Sequence, residues 1–146
     1  MIGLHPVVGL VCMAMDTAAV AQPEFVLEQP EVLAGDPVVA TVRGLEPGAL
    51  VFVGAERFSG RSNAWYRSMG VFRANAEGKV DPFHDRAVMA PWEAGDLAGP
   101  FWTMQSVGEQ SMADSSQRPW RQIRLFVDVD TDGVADATAE VLLING

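Results

Sequence analysis

The sequence predicts an all-β domain, an immunoglobulin-like β-sandwich interrupted by a long irregular segment. Three observations point there. Short runs alternate strictly between apolar and polar positions, the two-residue period of a half-buried strand. Glycine (14) and proline (9) are spread along the chain between those runs, as many tight turns require. No internal repeat or coiled-coil pattern competes, and 49% hydrophobic residues suffice for one packed core in a chain of 146 residues. The Cys…Trp…Cys signature of antibody domains is absent, so the architecture rests on the alternation alone.

The elements follow in order. Residues 25–28 are short and extended, ending before Pro30. In residues 38–43, Val38, Ala40 and Val42 share one face while Val39, Thr41 and Arg43 share the other. Gly44, Pro47 and Gly48 then make a turn from residues that free or fix φ. The run 50–58 sets Val51, Val53 and Ala55 on its inner face, and Glu56 and Arg57 are expected to return it to solvent. After a polar loop at 59–63, residues 65–74 place Tyr66, Ser68, Gly70, Phe72 and Ala74 inward and Arg67 and Arg73 outward. A turn at 75–78 leads to a short strand at 79–81. Periodicity is then lost from 82 to 119, with prolines at 82, 91, 100 and 119; such a stretch inside a small domain is functional or folded against something else. Residues 122–130 and 135–144 read as paired strands around Thr131, Asp132 and Gly133.

Three stretches resemble one family. Gly35-Asp36-Pro37-Val38 leads to Val42-Arg43-Gly44-Leu45-Glu46-Pro47-Gly48. Trp65-Tyr66-Arg67-Ser68 leads to Phe72-Arg73-Ala74-Asn75-Ala76-Glu77-Gly78-Lys79-Val80-Asp81. Ala90-Pro91 precedes Asp96-Leu97-Ala98-Gly99-Pro100-Phe101-Trp102-Thr103-Met104. Together, and in this order, they resemble the N-terminal domain of the acyl-CoA thioesterase and bile acid-CoA:amino acid N-acyltransferase (BAAT) family. The resemblance runs from about Val32 to the C-terminus. It departs at Asn75, where the family has Asp, and at Trp92-Glu93-Ala94, where Gly-Ser-Tyr follows the Ala-Pro. The resemblance implies a β-sandwich partnered by an α/β-hydrolase domain that carries the nucleophile, histidine and acid for thioester chemistry. This chain stops at Gly146, so on that reading residues 22–146 are the sandwich without the catalytic domain.

The residues themselves carry no convincing catalytic set. Gly60-Arg61-Ser62-Asn63-Ala64 resembles a nucleophile elbow only in outline, because no helix follows it. His84, beside Asp85 and Arg86, is the sole histidine outside the leader and reads as a solvated side chain. Asp128, Asp130, Asp132, Gly133 and Asp136 match the first nine positions of a calcium loop. Ala139 occupies the twelfth position, where the bidentate glutamate belongs, and the flanks are strand-like. Two readings stay open: a plain hairpin with Asp128 and Asp130 facing outward, or a hairpin holding a weak Ca2+ site. No other cofactor is implied. Trp92, Phe101, Trp102 and Met104, with Met89, form an apolar group that is either a lid over the core or an interaction patch.

The net charge of −9 disfavours nucleic acid and anionic lipid surfaces as partners. Residues 1–21 contain an apolar run too short to span a bilayer, ending in Ala19-Val20-Ala21, a signal-peptidase pattern. Against it, no basic residue precedes the run and Asp16 sits beside the triplet. The leader is thus a secretory signal, making the chain extracytoplasmic, or a ragged start of a cytoplasmic protein. It also holds the single cysteine, Cys12, so disulfide chemistry is not expected beyond it. Three functions remain. The first is a stand-alone non-catalytic docking or binding module whose partner is an α/β-hydrolase domain or another protein. The others are the N-terminal half of a split thioesterase and a secreted ligand- or calcium-binding module.

Overall fold

A computed structural model of the chain describes residues 22–33, 36, 38–93, 96, 99–113 and 122–144. The leader, with Cys12 and the Ala19-Val20-Ala21 triplet, lies outside these residues, as do Gly35, Pro37 and Pro119. Among the described residues, eight strands and one short helix follow in order: β1 (Glu24–Leu27), β2 (Glu31–Leu33), β3 (Ala40–Arg43), β4 (Leu50–Ser59), β5 (Ala64–Arg73), α1 (Gly99–Trp102), β6 (Gln105–Gly108), β7 (Gln122–Asp128) and β8 (Ala137–Ile144). They form two sheets, a pair β1-β3 and a six-stranded sheet ordered β2-β8-β7-β4-β5-β6. The expected all-β sandwich is what the chain adopts.

The β4–β5 hairpin is the spine. Its antiparallel register runs from Leu50↔Arg73 to Ser59↔Ala64, and β7 pairs on the other side of β4 with Val53↔Val127 and Ala55↔Leu125. Because opposed residues share a face, Val51, Val53, Ala55, Gly70, Phe72, Leu125 and Val127 all project to one side. That side meets β3 through Ala40 and Val42, and two apolar clusters fill the space. One contains Val42, Val51, Val53, Phe72 and Trp92, the other Ala40, Ala55, Phe83, Leu125 and Val141. Each such side chain stabilises by about 1.5–3 kcal/mol when fully buried.

Several expectations need correction. Glu56 does not return β4 to solvent; it is 0% exposed. The register sets it between Arg67 on β5 and Arg124 on β7, and both arginines pair with it. Arg67 is for the same reason mostly covered, whereas Arg73 is exposed as expected. Tyr66 is only half-buried: it lies near the hairpin tip, with Arg57 stacked 4.9 Å from its ring. Trp65, on the opposite face, is buried in its place, with Arg124 5.4 Å over its ring and Phe58 edge-on at 5.6 Å. The strand expected at 79–81 contracts to one bridge, Val80↔Val42. Residues 82–119, read as aperiodic, contain α1 and β6.

Candidate functional site

Val88 and Met89 lie along the outer edge of β5, and backbone hydrogen bonds to Val71 fix where they sit. The Val88 N–H donates to Val71 O at 2.7 Å, and the Val71 N–H donates to Met89 O at 2.7 Å. This bridge holds the two side chains away from the core: Val88 is 57% exposed and Met89 72%. They are adjacent in the chain and are the two most exposed large apolar side chains among the described residues.

The four residues singled out as an apolar group lie differently. Trp92 is 9% exposed and packs 6.2 Å from the Phe72 ring. Two glycines make room for it. A Cβ on Gly99 would stand 2.4 Å from Trp92 Cγ, and one on Gly70 3.1 Å from Trp92 Cη2. Phe101 is half-buried, edge-on to Phe83 at 5.1 Å, and Met104 packs against the same cluster. The side chain of Trp102 lies outside the described residues. The Ser68 hydroxyl donates to Pro100 O and ties α1 to β5.

The two catalytic candidates are bound to different neighbours. The Ser62 hydroxyl shares a hydrogen bond with the Tyr66 hydroxyl at 3.3 Å. His84 Nδ1 lies 2.8 Å from Asp81 Oδ2, and Asp81 Oδ1 accepts the Phe83 N–H at 2.9 Å and the His84 N–H at 3.2 Å. Asp81 therefore organises the turn that carries His84. Burial pushes its carboxyl above the ordinary carboxylate value, against the opposing pull of those hydrogen bonds and of His84.

The acidic hairpin is stapled by its own carboxylates. Asp128 lies on the face opposite Val127, as read from alternation, but it is buried there instead of solvated, and accepts the Gly133 N–H at 2.8 Å and the Asp132 N–H at 3.3 Å. Its pairing opposite Phe52 puts it on the face of Glu56 and Arg124, away from β3, and the loop's own amides cover and satisfy it there. Asp132 Oδ1 accepts the Val134 N–H at 3.0 Å, and Asp136 Oδ2 the Val129 N–H at 2.7 Å. Asp130 is fully exposed, and its carboxyl is raised chiefly by the charge of Asp136, then by desolvation, Asp132 and Asp128. Among the described residues, no group of three or more His, Cys, Asp or Glu side chains is placed to hold a metal ion.

Sequence reasoning missed the buried polar cluster on the sheet's other face. Glu56 Oε1 lies 3.4 Å from Arg67 Nε and accepts the Met112 N–H at 3.0 Å. Its Oε2 accepts from the Ser111 hydroxyl at 2.5 Å and lies 3.4 Å from Arg124 Nη1. The available signal was a charged residue in the middle of each of three strands, which becomes a cluster only once the register is known.

The architecture and these sites define a β-sandwich module in which, among the described residues, every buried side-chain polar atom has a hydrogen-bond partner. Residues 35–141 match the family described as acyl-CoA thioester hydrolase/BAAT N-terminal region, and the chain belongs to that family. No curated protein matches it.

Proposed function

We propose that this chain is a non-catalytic docking module that binds an α/β-hydrolase partner carrying the thioester chemistry of its family. The observation that carries the reading is Val88 and Met89, two apolar side chains projected from a rigid sheet edge. The backbone bonds to Val71 fix where the two side chains start, which lowers the ordering cost of binding. The resemblance to the family implies the partner class, and the separate tethering of Ser62 and His84 supports a role other than acyl transfer.

The test is calorimetric titration of the purified chain against the hydrolase domain of a two-domain member of the family. Binding is expected, and Met89→Glu should weaken it about tenfold or more, as when a charge is placed in an apolar contact. Binding that is indifferent to Met89→Glu and Val88→Asp would contradict this placement of the interface. Absence of binding would contradict the docking role.

A further inference from the structure

We propose that residues 105–113 form a strap around the outer edge of the main sheet, latched by the Glu56 carboxylate, and that it opens and closes as a unit while the sandwich stays folded. The path of the chain makes the strap. Ser68 anchors Pro100 on the face that meets β3, β6 then runs along the edge of β5, and Gln110, Ser111 and Met112 come down on the opposite face. The switch of face follows from register, since Ala55↔Ser68 and Glu56↔Arg67 are adjacent pairs that project to opposite sides.

Apolar packing holds little of this segment. All four residues of β6 are exposed, and it meets β5 at three paired positions with a register irregularity between Trp65 and Tyr66. Met112 is the one buried side chain in 105–113. The polar anchors converge where the strap lands. Ser111 and the Met112 amide reach Glu56 at 2.5 and 3.0 Å, Arg67 Nη2 donates to Gln110 O at 2.8 Å, and the Ala135 N–H donates to Met112 O at 2.7 Å. Glu56 makes its shorter contacts to the strap and its longer ones, 3.4 Å each, to the two arginines. Hydrogen bonds to an ionised group are about twice as strong as neutral ones. A segment with few apolar contacts, held mainly by polar bonds clustered at one end, is the kind that opens below the global unfolding limit. Opening frees the outer edge of β5 at residues 65–67, so the strap controls access to that edge.

The experiment is hydrogen–deuterium exchange on the full chain, comparing wild type with Ser111→Ala and Glu56→Gln. Ser111→Ala removes the hydroxyl's bond to Glu56 and those it accepts from Arg124 Nη1 and the Ala113 N–H, and leaves every charge in the sheet. It should speed exchange across 105–113 about tenfold, with 51–55 and 123–127 exchanging at wild-type rates. Glu56→Gln should speed the strap further. Should Glu56→Gln fail to fold, Ser111→Ala decides alone. Strap exchange at the wild-type rate in Ser111→Ala would overturn the proposal. So would equal acceleration of the strap and of 51–55, since Glu56 would then be an ordinary member of the global core.

Discussion

Asp130 is where the charge of the acidic loop is least compensated. Its carboxyl is raised by Asp136 first, so the folded chain holds that proton more tightly than the unfolded chain does. Stability from this group is therefore full below the ordinary carboxylate range and is lost as pH rises through the raised folded value. Asp130→Asn removes the loss. The variant should melt above wild type at pH 7, and the two should converge near pH 3. The gap at pH 7 should shrink in high salt, because the repulsion is exposed and screened. Melting curves at the two pH values check this; a variant that melts lower at pH 7 contradicts it. The neighbouring Asp128 shows what single residues hide. Its place in the alternation was readable, but that the loop would curl back and offer it two amides was not. Glu56 was misread for a related reason: a charge in mid-strand looks solvated until the arginines beside it are known.

Among the elements, β5 carries the strongest expectation. Phe72 packs in the core beside Trp92 on the face opposite Arg73, so Phe72→Ala should cost about 3–5 kcal/mol by cavity formation. Arg73→Ala, at an exposed site with one hydrogen bond to Gly48 O, should cost under about 1 kcal/mol. Chemical denaturation separates them, and similar small values would mean that the strand's faces are assigned wrongly. The long strands were legible because each has one buried face: 38–43, 50–58 and 65–74 alternate, and β3, β4 and β5 fall within or nearly on them. β6 was invisible because all its residues are exposed, which leaves no period to detect. β2 spans three residues, too short to show one. The β7–β8 loop has its own test. Three of its four aspartates already accept backbone N–H groups, so millimolar calcium and magnesium should shift the melting temperature equally. A calcium-selective rise that both Asp130→Asn and Asp132→Asn abolish would establish the site instead.

Taken whole, the molecule is a sandwich whose long connection serves three ends. Trp92 and Phe101 close the core, Val88 and Met89 face outward, and 105–113 wraps the sheet edge. The family was readable from three motif stretches, two of which build β3 with the turn after it and β5. The outward pair was not: Met89 was grouped with Trp92 by composition, and only the bridge to Val71 separates their directions. The central claim is that this module docks and does not itself turn over a thioester. It is tested most directly by the steady-state release of free CoA thiol from a long-chain acyl-CoA incubated with the purified chain alone. The account predicts release no faster than in buffer. Turnover above background that disappears in Ser62→Ala or His84→Ala would contradict it.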